Sequence, residues 1–422
     1  MRSRIYTILF TAVIGISLAS SCEKTDENVD DSQLTEPVQI VLRGAEMEMI
    51  KSDQTFAFAF FENVFNEESV AEDQNFMVSP LSLSMALAMT RNGAAGETKR
   101  AMQVALQWSD FPDDEAINSY YKKLKEALLK TDPSTKLSIA NAIFTNEQVK
   151  MKPAFIETNQ SWYDATVRSV NFSSPATTAV INKWASDNTN GLIEKVIEET
   201  KPEDLMYLLN AIYFKGKWRS EFDVKNTTKK PFTCEDGTIQ QVEMMKQKAK
   251  FSYMEDQTLQ MVQLPYGNRA FSMMVLLPKE GKKLKDLVTA TRQSNYWSSL
   301  KSRLHEAEVD LFLPKFKTEY SKKLNDLLTD MGMGVAFTGA ADFSGISDLP
   351  AKIDFVKQDT YISTDESGTE AAAVTTVGMV MTSMPAEPQS VVFNAERPFI
   401  YIIQENSTGA VLFMGVVKNF NK

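Results

Sequence analysis

Apolar residues first recur at helical spacing from Asp53, where Phe56, Phe60, Phe61, Val64 and Phe65 line one stripe, so a helix is expected to open there with that stripe toward a core. From Asn75 to Met89 apolar residues fall on every side of the helical cycle, which predicts a buried helix. Ser79 reads as its capping residue and Pro80 as its first-turn proline. Gly93 and Gly96 interrupt the pattern before Glu97 starts another helix. After an acidic loop over 108–115, Tyr120, Tyr121, Leu124 and Leu128 return at helical spacing, with Lys122, Lys123, Lys125 and Lys130 around them as a solvated face. Strands are predicted at 137–145, 205–214, 259–264, 271–278, 309–317, 390–393, 399–404 and 410–417. The last two flank Glu-Asn-Ser-Thr-Gly, a turn sequence, and are expected to pair as a hairpin. Interleaved helices and strands, with no repeat and no linker, point to one α+β domain with several sheets.

One stretch fits neither period. Between Gly368 and Thr376 the chain runs Thr-Glu-Ala-Ala-Ala-Val-Thr-Thr, too polar for a core helix and too apolar for a solvated loop. Read with period two, Thr369, Ala371, Ala373, Thr375 and Val377 share one face of a strand, and Glu370, Ala372, Val374 and Thr376 the other, so its one charge falls on the outward set. Such a segment can wait as a loop and still slide between existing strands. It reads as a switch, not an active site.

Composition narrows the alternatives. The 422 residues are 43% hydrophobic with a formal charge of −10, and no basic stripe offers a surface for nucleic acid. Arg2 and Arg4, an apolar run from Ile5 to Leu18 and small residues before Cys22 read as an export signal over 1–21. The small residues ending at a cysteine resemble a bacterial lipoprotein cleavage site, with Cys22 the lipidated first residue; a plain secretory signal cut nearby is the alternative. A flexible acidic tether is expected over 22–44 and a single domain over 45–422. The mature protein would then be exported and held on the bacterial envelope by its lipid, with the outer-membrane surface one possible face and a secreted or periplasmic protein the alternative.

Enzyme chemistry finds little support. The chain has one histidine, His305, in a charged stretch read as helical, and neither Cys234 nor any serine stands in a nucleophile-elbow pattern. No His or Cys cluster has metal-ligand spacing and no glycine motif has phosphate-loop context, so no cofactor is expected. After loss of the leader, Cys22 and Cys234 are the cysteines left; with Cys22 lipidated, no intrachain disulfide can form.

At the switch segment a family resemblance emerges. Glu366-x-Gly368-Thr369-Glu370-Ala371-Ala372-Ala373 resembles the hinge of an inhibitory serpin, and Phe393-Asn394-x-x-Arg397-Pro398-Phe399 resembles that family's C-terminal signature. Leu209-Asn210 through Lys217-Trp218, Leu313-Pro314-Lys315-Phe316, Met331 to Phe337 and Ala341 to Gly345 are similar to further family segments in the family's order. The resemblance implies a multi-sheet fold with a bundle of helices, a large central sheet and an exposed reactive loop over about 366–393. It implies a monomer that traps serine proteases as a suicide substrate, the cleaved loop entering the sheet as a new strand while the acyl-enzyme is still intact. The hinge would comprise Glu366, Gly368, Thr369, Glu370, Ala371, Ala372, Ala373, Val374 and Thr375. Glu366, Lys315 and Trp218 would meet at the sheet top, and Ser79, Ser82 and Asn210 would form the cluster that governs sheet opening. Gln358 stands there where the family usually has histidine, so histidine-based pH dependence of opening is not expected.

Thr382 follows Glu366 by sixteen residues, the family distance, which makes Thr382-Ser383 the expected scissile bond, with Met381-Thr382 and Ser383-Met384 as rivals. No lysine or arginine occurs from Thr369 to Ala395, so elastase-like, subtilisin-like or methionine-accepting chymotrypsin-like proteases are the expected targets. A polyanion on the lysine-bearing helix is known for some family members; the solvated face remains the preferred reading here. The rival function is a non-inhibitory binding or chaperone-like module whose loop never inserts.

Overall fold

A computed structural model describes residues 35–71, 74–108, 113–293, 295–369 and 390–420, and Thr35–Lys422 forms one compact unit. Cys22, Glu370 to Thr375 and Met381 to Met384 lie outside the described residues. Nine α-helices are described: α1 (Ala45–Ala71), α2 (Pro80–Arg91), α3 (Gly96–Ala105), α4 (Asp114–Leu128), α5 (Pro153–Tyr163), α6 (Pro175–Asn188), α7 (Leu284–Thr291), α8 (Tyr296–Ser302) and α9 (Asn325–Leu328).

The larger sheet carries nine strands: β1 (Phe76–Val78), β5 (Thr228–Thr233), β6 (Ile239–Glu255), β7 (Leu259–Pro265), β8 (Phe271–Pro278), β9 (His305–Pro314), β13 (Val391–Asn394), β14 (Phe399–Glu405) and β15 (Val411–Val417). Its order is β1-β15-β14-β8-β7-β6-β9-β13, with β5 on β6. β8, β14 and β15 are buried at every residue, which is why they read as continuous apolar runs rather than alternating ones. The predicted hairpin is present as the antiparallel pair β14·β15.

The second sheet is made of β10 (Phe316–Lys323), β11 (Phe355–Thr364), β12 (Gly368–Thr369), β4 (Met206–Lys217), β2 (Lys136–Asn146) and β3 (Thr166–Val170), in that order. Phe214 of β4 packs its ring against Phe271 of β8 and Phe413 of β15 at 5.7 and 6.3 Å, so one face of this sheet turns toward the other sheet. α2 runs through the interior with all twelve residues buried, as its all-round apolar pattern requires; Arg91 at its end is neutralised by Asp114.

Several expectations are corrected. α1 opens at Ala45 rather than Asp53, because Met49 and Ile50 already pack into the core ahead of the phenylalanine stripe. Ser79 precedes α2 but does not cap it: its hydroxyl donates to Leu412 O at 2.7 Å. His305 begins strand β9, where it is exposed, and is not helical. The strand expected over 309–317 is two strands, β9 ending at Pro314 and β10 starting at Phe316, with Lys315 between them. Val38 N donates to Thr131 O at 3.4 Å and Ile40 is buried, so the last residues of the expected tether lie against the fold.

Candidate functional site at the top of the six-stranded sheet

The sheet top is built around a tight turn. Asp365 directly follows β11, and its carboxylate accepts from Ser367 N at 2.9 Å and Gly368 N at 3.3 Å, closing a hairpin that returns the chain as β12. Gly368 has φ +153, and a Cβ there would strike Gly216 O and lie 2.7 Å from Lys217 Cα, so glycine is required for the close approach. Gly368 and Thr369 then pair with Lys217 and Gly216 of β4, while Thr369 also faces Thr364 of β11. Two of the hinge residues expected to wait in an exposed loop, Gly368 and Thr369, are thus already in the sheet: Thr369 is 1% exposed. The reason is local, since a Gly-Thr pair with an Asx turn before it can fill the first rung without moving either neighbour.

The three sheet-top residues come together. Lys315 Nζ lies 3.1 Å from Glu366 Oε2, and Thr227 Oγ1 donates to Glu366 Oε1 at 2.8 Å. Burial acts to raise the Glu366 carboxyl, but the bonds from Thr227 and Lys315 outweigh it and hold the group below its ordinary range. Burial acts to lower Lys315, and Glu366 more than reverses that. Trp218 Nε1 donates to Asp365 O and Trp218 N to Ser367 O, both at 2.9 Å, so the indole fastens the turn rather than the ion pair.

Deeper in the sheet, Gln358 takes the place of a bolt. Its Oε1 accepts from Ser79 N at 2.8 Å, and its Nε2 donates to Ser79 O at 2.9 Å and to Asn210 Oδ1 at 3.0 Å. Asn210 Nδ2 in turn donates to Ser82 Oγ, to Ser82 O at 3.1 Å and to Asn141 Oδ1 at 2.7 Å. All five residues are buried. Asn141, opposite Asn210 on β2, was not singled out from the sequence; an asparagine inside an otherwise apolar strand run was the available signal. Tyr266 was likewise missed, and its Oη stands 2.7 Å from Thr369 Oγ1.

The two strands flanking β12 behave differently along their length. β4 and β11 pair in parallel from Tyr207/Phe355 to Ala211/Asp359. No pairing between them is described for Ile212–Lys215 against Thr360–Ser363, and β12 sits between them above that interval.

Outside this site the chemistry is ordinary. Cys234 is buried after β5 and its thiol is pushed up by burial, which suits an inert side chain. Among the described residues no group of three His, Cys, Asp or Glu side chains is placed to hold a metal ion. The α4 lysines are engaged locally: Lys122 donates to Ser161 O at 3.1 Å, Lys123 to Glu46 at 2.6 Å and Lys125 to Tyr163 O at 2.8 Å.

The comparisons place this geometry. The model of the serpin (serine protease inhibitor) family matches residues 51–420. The chain is 33% identical over 396 residues to an uncharacterised serpin-like protein of Thermococcus kodakarensis, covering 92% of this chain and 90% of that one. It is 34% identical over 386 residues to the leukocyte elastase inhibitor of Xenopus laevis, covering 87% and 99%. Among solved structures, the native thermophilic serpin Tengpin superposes with a TM-score of 0.82 at 31% identity, over 92% of this chain and 98% of that one. Human thyroxine-binding globulin gives 0.81 at 28% identity, over 90% and 100%. A family model that spans the sheet, the bolt and the hinge, with relatives a third identical along nearly the whole chain, makes this protein a member of the serpin family.

Proposed function

We propose that this serpin, from a family made mostly of protease inhibitors rather than enzymes, inhibits serine proteases as a suicide substrate. The observation that carries the reading is Thr369 seated between β4 and β11, directly above an interval in which those strands do not pair. Extending both registers of β12 by single residues puts Glu370 against Lys215 and Ser363, Ala371 against Phe214 and Ile362, Ala372 against Tyr213 and Tyr361, and Ala373 against Ile212 and Thr360. Residue 374 then meets Ala211 and Asp359, the uppermost row at which β4 and β11 still pair, and Thr375 meets Asn210 and Gln358.

This register gives each side chain a suitable place. Ala371 and Ala373 fall on the face of Phe214 and Ile212, where the interior is dry and small side chains fit. Glu370 falls beside Lys215 on the opposite face, a favourable cross-strand pair. Thr375 arrives where Gln358 and Asn210 part, and its hydroxyl can satisfy both. Each ladder bond and each buried methyl adds about 1 kcal/mol, so about ten inserted residues provide a drive on the order of 10 kcal/mol or more for insertion.

The bait remains Thr382-Ser383, with Met381 and Met384 as neighbours at which cleavage could also occur. The absence of basic residues favours elastase-like or subtilisin-like targets. Incubation with an elastase should give an SDS-stable covalent complex; clean cleavage with free, active protease would sink the reading. The similarity to thyroxine-binding globulin, solved in complex with thyroxine, favours a second reading as a carrier. Loop cleavage distinguishes them: insertion should raise the thermal midpoint sharply, and a carrier whose loop stays out shows no such rise.

For location, we propose a lipid anchor at Cys22 on the bacterial envelope, supported by the small residues that precede it and the acids that follow. Palmitate labelling lost in Cys22→Ala, with release of the protein from membranes, is the expected result; labelling retained in the variant would rule the anchor out.

A further inference from the structure

Tyr266 belongs to none of the sheet-top motifs, yet it is the side chain around which they close. It follows β7, pairs by a bridge with Trp218 and stacks on that indole at 4.6 Å and 11°. Phe214 meets the ring edge-on at 5.1 Å, and a Cβ on Gly216 would come within 3.0 Å of it. The phenol is fully buried, and its Oη reaches Thr369 Oγ1 at 2.7 Å; the next hydroxyl to Thr369, that of Thr364, is at 3.5 Å. Burial keeps the phenol protonated, since its pKa is pushed far above the ordinary tyrosine range. Trp218, on the ring's other side, holds the turn through Asp365 and Ser367.

We propose that Tyr266 is a positioning residue for strand insertion: its phenol holds Thr369 as the first rung of the sheet before any cleavage and so fixes the register in which the following residues enter. The alternatives are poorer for a physical reason. A slip of one residue would set Gly368 or Glu370 against the phenol. Gly368 offers no side-chain partner, and Glu370 would carry a charge into a dry pocket. Thr369 alone matches the site in size and supplies a hydroxyl. Insertion then propagates from a formed rung, and the costly step of opening the sheet top and choosing a register is taken during folding instead of during the lifetime of an acyl-enzyme.

The consequence for inhibition rests on the reading above, but the rung itself is a property of the uncleaved protein, so the two can fail separately. Amide exchange is measured by mass spectrometry on the full uncleaved chain, comparing wild type, Tyr266→Phe, Thr369→Val and the double variant. Phenylalanine keeps the stack on Trp218, which unchanged tryptophan fluorescence and thermal unfolding verify. Exchange over residues 366–369 should quicken about tenfold in either single variant, the effect of one lost neutral hydrogen bond, and no further in the double variant. Unchanged exchange in Tyr266→Phe, or additive effects in the double variant, would overturn the rung. If the rung holds and wild type traps an elastase, Tyr266→Phe should consume more inhibitor per protease silenced; a wild type that traps nothing refutes the inhibitory reading and leaves the exchange result to judge the rung.

Discussion

Gln358 Nε2 donates to Asn210 Oδ1 at 3.0 Å across a row in which β11 and β4 still lie side by side, one row below the point where their pairing ends. The same amide grips both the N–H and the carbonyl of Ser79, so one side chain ties two strands of the sheet to the chain entering α2. Insertion past Ala373 has to break this link.

Gln358→Ala removes the tie and leaves buried groups on Ser79 and Asn210 without partners, at about 1–3 kcal/mol for each unsatisfied group. The uncleaved protein should melt at least several degrees lower, and loop insertion after cleavage should be faster. Calorimetry with stopped-flow complex formation reads both, and an unchanged melting point would show that the amide bears no load.

Thr369→Arg drives a long cation into a site that is 1% exposed and already filled by Tyr266. Burying an unpaired charge costs several kcal/mol, so the first rung should not form and the variant should be cleaved as a substrate. Gel analysis with an elastase should show cleaved inhibitor and little complex. A wild-type yield of complex would mean that insertion is not the trapping step.

The Glu366 and Lys315 pair has a pH window that follows from the two shifts. Glu366 is held below the ordinary glutamate value of 4.5 and Lys315 above the ordinary lysine value of 10.5. The carboxylate therefore adds stability above about pH 4.5 that is lost as pH falls through its folded value, and the ammonium adds stability below about pH 10.5 that is lost as pH rises through its own. Glu366→Gln should lie below wild type in thermal midpoint at pH 7, and the gap should close in acid. A gap constant from pH 7 to pH 3 would contradict the assignment.

Asp53 works in the opposite sense. Buried between α1 and α4, it accepts from Tyr120 and Tyr121 at 2.7 and 2.6 Å, and burial pushes its carboxyl up to about 7 from the ordinary 3.8, against the lowering effect of both phenols. The folded protein thus holds a proton that the unfolded chain gives up, so stability is full near pH 4 and declines as pH rises toward 7. Asp53→Asn should flatten that decline, as thermal melts at steps of pH can check. Parallel wild-type and variant curves would show that Asp53 does not titrate in this range.

The fold was legible where residue type and period coincide. Buried runs such as Phe271–Pro278 and Val411–Val417 announce themselves because one physical requirement selects their residues. β6, seventeen residues long, is hard to read because charged residues line its solvent face, and β11 because polar residues, buried Asp359 among them, interrupt any continuous apolar run. Lys315 reads as part of a strand because its neighbours are β-formers, while the break that frees it to reach Glu366 comes from β9 and β10 belonging to different sheets.

What the sequence determined by itself is the alternation from Thr369 to Thr376: small residues on one face, the lone Glu370 on the other, because strand geometry fixes that period without reference to any partner. Only the tertiary structure decided where the alternation meets the sheet. The seating of Thr369 against Tyr266, the unpaired interval below it and the alignment of the Gln358 and Asn210 row with Thr375 depend on strands distant in the chain, and register between such strands is set by packing and hydrogen bonding that no local stretch encodes.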